Sequence, residues 1–159
     1  MFKNPIVKNI LLALAVTGFG FILLNLTFLF DFLFQSLIVG FIELFTPVSV
    51  NPEMDYYWFP PMMHALFLVV IGLISWFIFR SKLGVLYKAI YMTVPTAVAL
   101  ATIGIFLYRW PIVVYSLGIL FGISVLYYFY RTKQPWLYYY TLILVGLVML
   151  LVGLLGVEI

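Results

Sequence analysis

Long apolar stretches separated by short polar turns are the dominant pattern along this chain. Each stretch holds about 20 residues, which is the length that a helix needs to cross the hydrocarbon core of a bilayer. The predicted spans are residues 10–30, 62–79, 87–107, 111–130 and 136–157. We therefore predict an all-α fold, a polytopic membrane helix bundle in which residues 1–159 form a single integral membrane domain.

Residues 31–46 follow the first span and carry a mixed pattern. Polar or small side chains fall within one half of a helical wheel, and large apolar side chains gather on the other. The polar half contains Asp31, Gln35, Ser36, Gly40, Glu43 and Thr46. This pattern predicts an amphipathic helix in the interface at the outer face, ending at Pro47. A short sixth span or a re-entrant hairpin is the alternative. Residues 47–61 are predicted to be a proline-rich loop.

The composition indicates that the chain lies in a lipid bilayer. Hydrophobic residues make up 67% of the sequence and charged residues 8%, whereas soluble domains have about 45–50% and about 25%. The net charge of +3 comes from short clusters next to spans, so no nucleic-acid partner is expected. The absence of cysteine excludes disulfides and thiolate metal ligands. We expect no cofactor; the predicted partners are the bilayer and, as an open alternative, a second copy or another membrane protein.

The distribution of lysine and arginine predicts the orientation. Alternation of five spans puts seven basic residues on one face: Lys3, Lys8, Arg80, Lys82, Lys88, Arg131 and Lys133. The opposite face receives Arg109 alone. Because basic loops stay in the cytoplasm, we predict a protein of the cytoplasmic membrane with its N-terminus inside and its C-terminus outside.

Six side chains form a predicted outer-face polar cluster: Asp31, Glu43, Glu53, Asp55, His64 and Arg109. A carboxylate and an imidazole can bind a metal ion or share a proton. The spacing of Glu53, Asp55 and His64 matches no metal or catalytic motif. We therefore expect no metal site and no catalytic residue, with His64 at a helix start in the interface.

Pro95, flanked by Thr93 and Thr96, interrupts the third span near its middle. Transporters place binding sites at such broken helices, so these residues are a candidate pocket, although a static kink is the expected outcome. The predicted spans contain no charged residue near Pro95. This avoidance argues against an ion-coupled pump.

Small residues predict close helix packing in the third and fourth spans. Gly118 and Gly122 share one face of the fourth span, and Thr93, Ala97 and Ala101 share one face of the third. A short turn joins these spans, so we expect ridge and groove to meet within one hairpin. A seam between two copies is the alternative.

The function that these patterns favour is a non-catalytic helical module, a subunit or scaffold of a membrane complex. A small channel, carrier or binder for an apolar or lipid-like molecule is the alternative. An intramembrane enzyme at the outer face is the hypothesis that the sequence favours least.

Overall fold

Five α-helices make up the part of the chain that the computed structural model describes, residues 5–45 and 59–154 without the side chains at 42, 43, 45 and 59–61. The helices are α1 Pro5–Phe45, α2 Phe59–Arg80, α3 Val85–Leu107, α4 Pro111–Arg131 and α5 Trp136–Leu154. Each is long and apolar enough to cross a membrane, and the described residues contain no strand. The prediction of an all-α membrane bundle with five spans is confirmed.

Helix α1 differs from the prediction in its length. It continues without a break through Asp31 to Phe45, so residues 31–45 belong to α1 and form neither a separate interfacial helix, nor a re-entrant hairpin, nor a sixth span. Thr46 lies outside the described residues. The sequence between Phe30 and Phe45 contains no proline, and nothing else there forces a break. At 1.5 Å per residue, the 41 residues of α1 extend about 62 Å, roughly twice the thickness of the hydrocarbon core.

Helix α3 is the centre of the bundle and packs against all four other helices, most extensively against α1 and α5. Helices α1, α3 and α5 run in the same direction. The hydroxyl of Thr141 on α5 donates to the backbone oxygen of Ala89 near the start of α3, at 3.2 Å. Near the start of α5, the hydroxyl of Tyr140 lies 2.8 Å from that of Thr17 on α1.

A glycine on α1 explains the close contact between α1 and α3. A Cβ atom at Gly20 would lie 2.6 Å from the Cγ2 methyl of Thr93, which is too close for any side chain. Thr93 itself is buried, with 3% of its surface exposed. The small ridge of α3 therefore meets α1 at this point, whereas we predicted a groove on α4.

Two apolar clusters fill the interior. The first joins α1, α3, α4 and α5 and includes Val16, Ala89, Phe129 and Leu142. The second joins α2 and α3 through Phe67, Ile71, Val94 and Val98, with Leu23 and Phe34 of α1 packed against it. The second cluster lies next to the polar side chains described below.

Basic residues lie at one end of the bundle, where α1, α3 and α5 begin and α2 and α4 end. The described members of this set are Lys8, Arg80, Lys82, Lys88, Arg131 and Lys133. Lys88 fixes the turn between α2 and α3, because its Nζ donates to the backbone oxygens of Phe79 and Ser81 at 2.8 Å each. Arg109 follows α3 at the opposite end, and Pro111 begins α4 as predicted.

Candidate functional site: a buried polar network

Asp31 of α1 and His64 of α2 contact each other inside the bundle. The Oδ2 atom of Asp31 lies 3.3 Å from Nδ1 of His64. Both residues are buried, with 8% and 6% of their surface exposed. Both also lie within the stretches of α1 and α2 that can cross a membrane. We expected His64 at a helix start, and it lies in the second turn of α2, where it is buried against Asp31.

Two further polar side chains bind to this pair, and one of them lies on a third helix. The Nε2 atom of His64 lies 3.1 Å from Oγ1 of Thr102 on α3. On the other side of the pair, Nε2 of Gln35 donates to Oδ1 of Asp31 at 3.1 Å. We call Asp31, Gln35, His64 and Thr102 the buried polar network. Through hydrogen bonds, it connects α1, α2 and α3.

Local sequence explains how each member is presented. Asp31 and Gln35 are four residues apart, so an uninterrupted helix brings their side chains together on one face. Thr102 donates its hydroxyl to the backbone oxygen of Val98 at 2.6 Å, the usual bond of a threonine within a helix. This bond fixes the direction of the threonine oxygen toward His64.

The network lies near the end of the bundle that is opposite the basic residues. His64 is five residues after the start of α2, and Thr102 is five residues before the end of α3, so both lie about 7.5 Å from that end. Helix α1 continues from Asp31 to Phe45, about 21 Å along its axis. Its last turns therefore extend about 13 Å beyond α3.

Aromatic side chains make the surroundings of the pair apolar. The ring of Phe67, which is wholly buried, has its centroid 6.3 Å from that of His64. On α1, the rings of Phe30 and Phe34 lie 6.1 Å and 6.0 Å from the ring of Phe67. An uncompensated charge in such surroundings costs several kcal/mol, on the order of the whole stability of a domain.

The hydrogen bonds determine how many protons the pair carries. The hydroxyl oxygen of Thr102 lies 2.6 Å from the backbone oxygen of Val98. Because a carbonyl oxygen can only accept, the hydroxyl proton must lie between these two oxygens. Thr102 can then only accept from His64, so Nε2 carries a proton. The contact between Nδ1 and Asp31 needs a second proton, on either atom. This set of hydrogen bonds fits a pair that holds one proton more than a carboxylate with a neutral imidazole, with a net charge of zero.

A shallow groove on the surface of α1 begins beside the network. It is lined by Phe32, Gln35, Ser36, Val39 and Gly40. Gln35 belongs to both the network and the groove, because its side chain lines the groove while its amide nitrogen donates to Asp31. The side chain of Asp31 is 12% exposed and that of His64 is 7% exposed. The carboxylate is thus the more accessible member of the pair.

The predicted outer-face polar cluster is assembled only in part. Glu53 and Asp55 lie outside the described residues, as does the side chain of Glu43. The Nε atom of Arg109 donates to the Tyr108 hydroxyl at 2.9 Å, and its guanidinium lies 5.5 Å from the centre of that ring. Arg109 follows Thr102 by seven residues, about 10 Å farther along the bundle.

The residues around Pro95 pack between helices. Pro95 lies inside α3, which stays helical on both sides. Thr93 donates to the backbone oxygen of Ile90 at 2.8 Å, and its hydroxyl lies 3.4 Å from the backbone oxygen of Gly20. Thr96 is buried as well, with 5% of its surface exposed. These residues form part of the contact between helices.

The two glycines of α4 have different surroundings. A Cβ atom at Gly118 would lie 3.7 Å from Cδ2 of Leu100 on α3, an ordinary contact. A Cβ atom at Gly122 would meet none of the described atoms within 4 Å. Ala97 and Ala101 are both buried in α3. The seam between two copies at Gly118 and Gly122 stays a prediction.

Sequence reasoning missed Thr102 entirely and assigned Gln35 to a headgroup-facing surface. The spacing of Asp31 and Gln35, together with the lack of a helix breaker after Phe30, was an available signal for the α1 half of the network. No comparable signal marks Thr102, whose contact with His64 joins residues 38 positions apart.

Proton binding is the chemistry that the network can perform with its own groups. It offers one carboxylate and one imidazole, whereas zinc sites in proteins use three or four protein ligands. Elsewhere in the described residues, no three histidine, aspartate or glutamate side chains come together as metal ligands.

Comparison with known proteins assigns the chain to no family: no protein-family model, no curated protein and no solved structure matches it. Its function therefore has to be inferred from the buried polar network and from the bundle that surrounds it.

Proposed function

We propose that this protein is a non-catalytic integral membrane module whose helix packing responds to the binding and release of a proton by Asp31 and His64. The observation that carries the proposal is the buried 3.3 Å contact between these side chains, on two different helices. Ionisable groups inside membrane helices are rare and mark functional sites. Stability alone does not explain such a pair, because desolvation offsets most of its attraction.

Loss of the proton changes the forces between the helices. The protonated pair is neutral and holds α1 against α2. After release, the pair carries a net charge of −1 among the rings of Phe30, Phe34 and Phe67. That charge favours a shift of the Asp31 carboxylate toward the more accessible groove, and α1 moves with it. Proton release is therefore coupled to the packing of α1.

Few other groups can influence this proton within the described residues. The titratable side chains at the network are Asp31 from α1 and His64 from α2, while α3 contributes the neutral Thr102. The tyrosines at the start of α5 and the lysines and arginines of the basic end lie at the opposite end of the bundle. Arg109 is the nearest cation that the structure describes, about 10 Å farther along the bundle than Thr102.

The location of the network gives the proposal a direction. With the basic end in the cytoplasm, as the distribution of lysine and arginine favours, the network faces the outer side of the cytoplasmic membrane. The proton would then come from outside the cell. The module would convert external acidity into a change at α1, which a second copy or another membrane protein could sense.

A nuclear magnetic resonance experiment tests proton binding directly, because His64 is the only histidine in the chain. Protein labelled with ¹⁵N-histidine in lipid nanodiscs gives signals from one imidazole over about pH 4–9, which covers the range in which imidazoles change charge. If the second proton of the pair lies on His64, we expect the ring to pass reversibly between the doubly and the singly protonated form. If it lies on Asp31, we expect the hydrogen bond from the protonated carboxyl to His64 to be lost as the pH rises.

A distance measurement tests the coupling, since the absence of cysteine allows specific spin labelling. Labels at the exposed Leu37 of α1 and Ile105 of α3 should change separation over the same pH range. Labels at Leu14 and Tyr87, near the basic end, are the matched control and should not. Constant separation for both label pairs, with His64 titrating, would contradict the proposed coupling.

We propose as a second candidate function a binder or carrier of a small amphiphilic molecule, which would lie against the open groove that α1 alone forms beside Gln35. The Gln35 amide nitrogen is bound to Asp31, and the hydroxyl of Ser36 donates to Phe32. Both side chains therefore present oxygen acceptors, which suit a ligand with a hydroxyl or ammonium group.

A thermal-shift screen with long-chain alcohols and amines tests this second candidate. We expect stabilisation that Gln35→Leu removes. Asn25→Leu is the matched control, since the Asn25 amide donates only to its own helix, at the backbone oxygen of Phe21. Equal stabilisation of both variants would refute binding at the groove.

A further inference from the structure

We infer that Thr102 is a positioning residue that ties the proton on His64 to helix α3. This inference rests on the proposed function and adds to it the means by which α3 senses the proton. Among the described residues, Thr102 makes the hydrogen bond that joins the network to α3, at 3.1 Å from His64 Nε2, and it lies 2.6 Å from the Val98 oxygen of its own helix.

A threonine hydroxyl has one proton and can direct it to only one of these neighbours. The 2.6 Å separation of the Thr102 and Val98 oxygens assigns the hydroxyl proton to that bond, so Thr102 accepts from Nε2. Both hydrogen bonds exist only while Nε2 is protonated. The arrangement is therefore specific for the protonated pair.

Release of one proton to water requires the hydroxyl to turn. The remaining imidazole proton is placed on Nδ1, where it donates to the Asp31 carboxylate. Nε2 then has a free lone pair, and the Thr102 hydroxyl rotates about its C–O bond to donate to it. The hydroxyl bond to the Val98 oxygen breaks as the bond to Nε2 reverses direction. Where the second proton of the pair starts on Asp31, its O–H bond breaks as that proton moves to Nδ1. Apart from this transfer, the only covalent bond that breaks is the bond to the released proton.

Replacing Thr102 by the equally sized valine should weaken proton binding. The protonated state loses two hydrogen bonds, whereas the deprotonated state loses one. A net loss of one hydrogen bond corresponds to about fivefold to tenfold weaker binding, or a titration midpoint lower by about 0.7 to 1 pH unit. Thr102→Ser keeps the hydroxyl and should restore the midpoint to within about 0.3 unit.

The experiment is the pH titration of ¹⁵N-labelled His64 in the wild type, Thr102→Val and Thr102→Ser, all as full chains in nanodiscs. Thr27→Val is the control, because Thr27 is a buried threonine one turn from Asp31 that donates to its own helix at Leu23. It should not move the midpoint. If Thr102→Val does not fold, Thr102→Ala makes the same change of hydrogen bonds in a smaller side chain.

The outcomes separate the two proposals. Above the midpoint, the wild type should show a proton on Nδ1 and an accepting Nε2. A midpoint that is equal in wild type and Thr102→Val, or that Thr102→Ser fails to restore, overturns the role of Thr102 while leaving proton binding intact. A His64 ring and partner bond that never change over the pH range overturn both.

Discussion

Replacing both members of the Asp31–His64 pair by apolar residues should separate a structural role from a functional one. Asp31→Val alone leaves Nδ1 of His64 without its partner at 3.3 Å and Gln35 without its acceptor at 3.1 Å. His64→Leu alone leaves a buried carboxylate without its imidazole. The double variant removes both groups and places two apolar side chains of similar overall size among the phenylalanine rings.

The magnitudes follow from burial. The two side chains are 12% and 7% exposed, so water can replace little of the lost hydrogen bonding. Each single substitution should lower the free energy of unfolding by about 2–4 kcal/mol. The double variant should return to within about 1 kcal/mol of the wild type or exceed it, since desolvation of the pair is avoided. The coupling energy would then be at least about 3 kcal/mol.

Reversible unfolding in mixed micelles of a mild detergent and dodecyl sulfate measures these differences. The spin-label distance between α1 and α3 should become independent of pH in the double variant, although its stability is retained. A double variant that is at least as unstable as the worse single variant would refute the reasoning. The network would then be a structural requirement of the bundle.

Three further predictions concern other parts of the bundle. Gly20→Ala should destabilise the fold by about 1–3 kcal/mol through overpacking against a buried threonine methyl on α3, measured by the same unfolding assay. Gly18→Ala, where a Cβ meets none of the described atoms within 4 Å, should be neutral or slightly stabilising, and equal effects would contradict the close contact. Gly122→Leu should leave the monomer folded but weaken any self-association in gentle detergent; unchanged oligomers would exclude the seam. A cysteine at Lys133 should resist impermeant reagents added to intact cells while one at Arg109 reacts, and the reverse pattern would overturn the orientation.

The sequence predicts the number of helices well because span length and apolarity are properties of each segment alone. The turns follow from local residues in the same way: Pro111 begins α4 and Arg131 ends it. The position of Gly20 against Thr93 is different, since it depends on which helices become neighbours. Hydrophobic pattern carries little of that information among helices that are apolar on all sides.

Residues 31–46 show most clearly where the sequence stops being informative. Polar residues do share one half of the helical wheel there, but this pattern does not determine which groups their side chains bind. Either the headgroup region or a histidine 33 residues away in sequence can provide hydrogen-bond partners for the Asp31 carboxylate. Only the headgroup region can be predicted from the local sequence. The structure divides this face: Asp31 turns into the bundle, Ser36 and Gly40 line the groove, and Gln35 belongs to both. Under the proposed function, the amphipathic pattern marks the boundary between the buried proton site and the surface from which protons reach it. Because Asp31 is the more exposed member of the pair, proton exchange at Asp31 should then be faster than at His64.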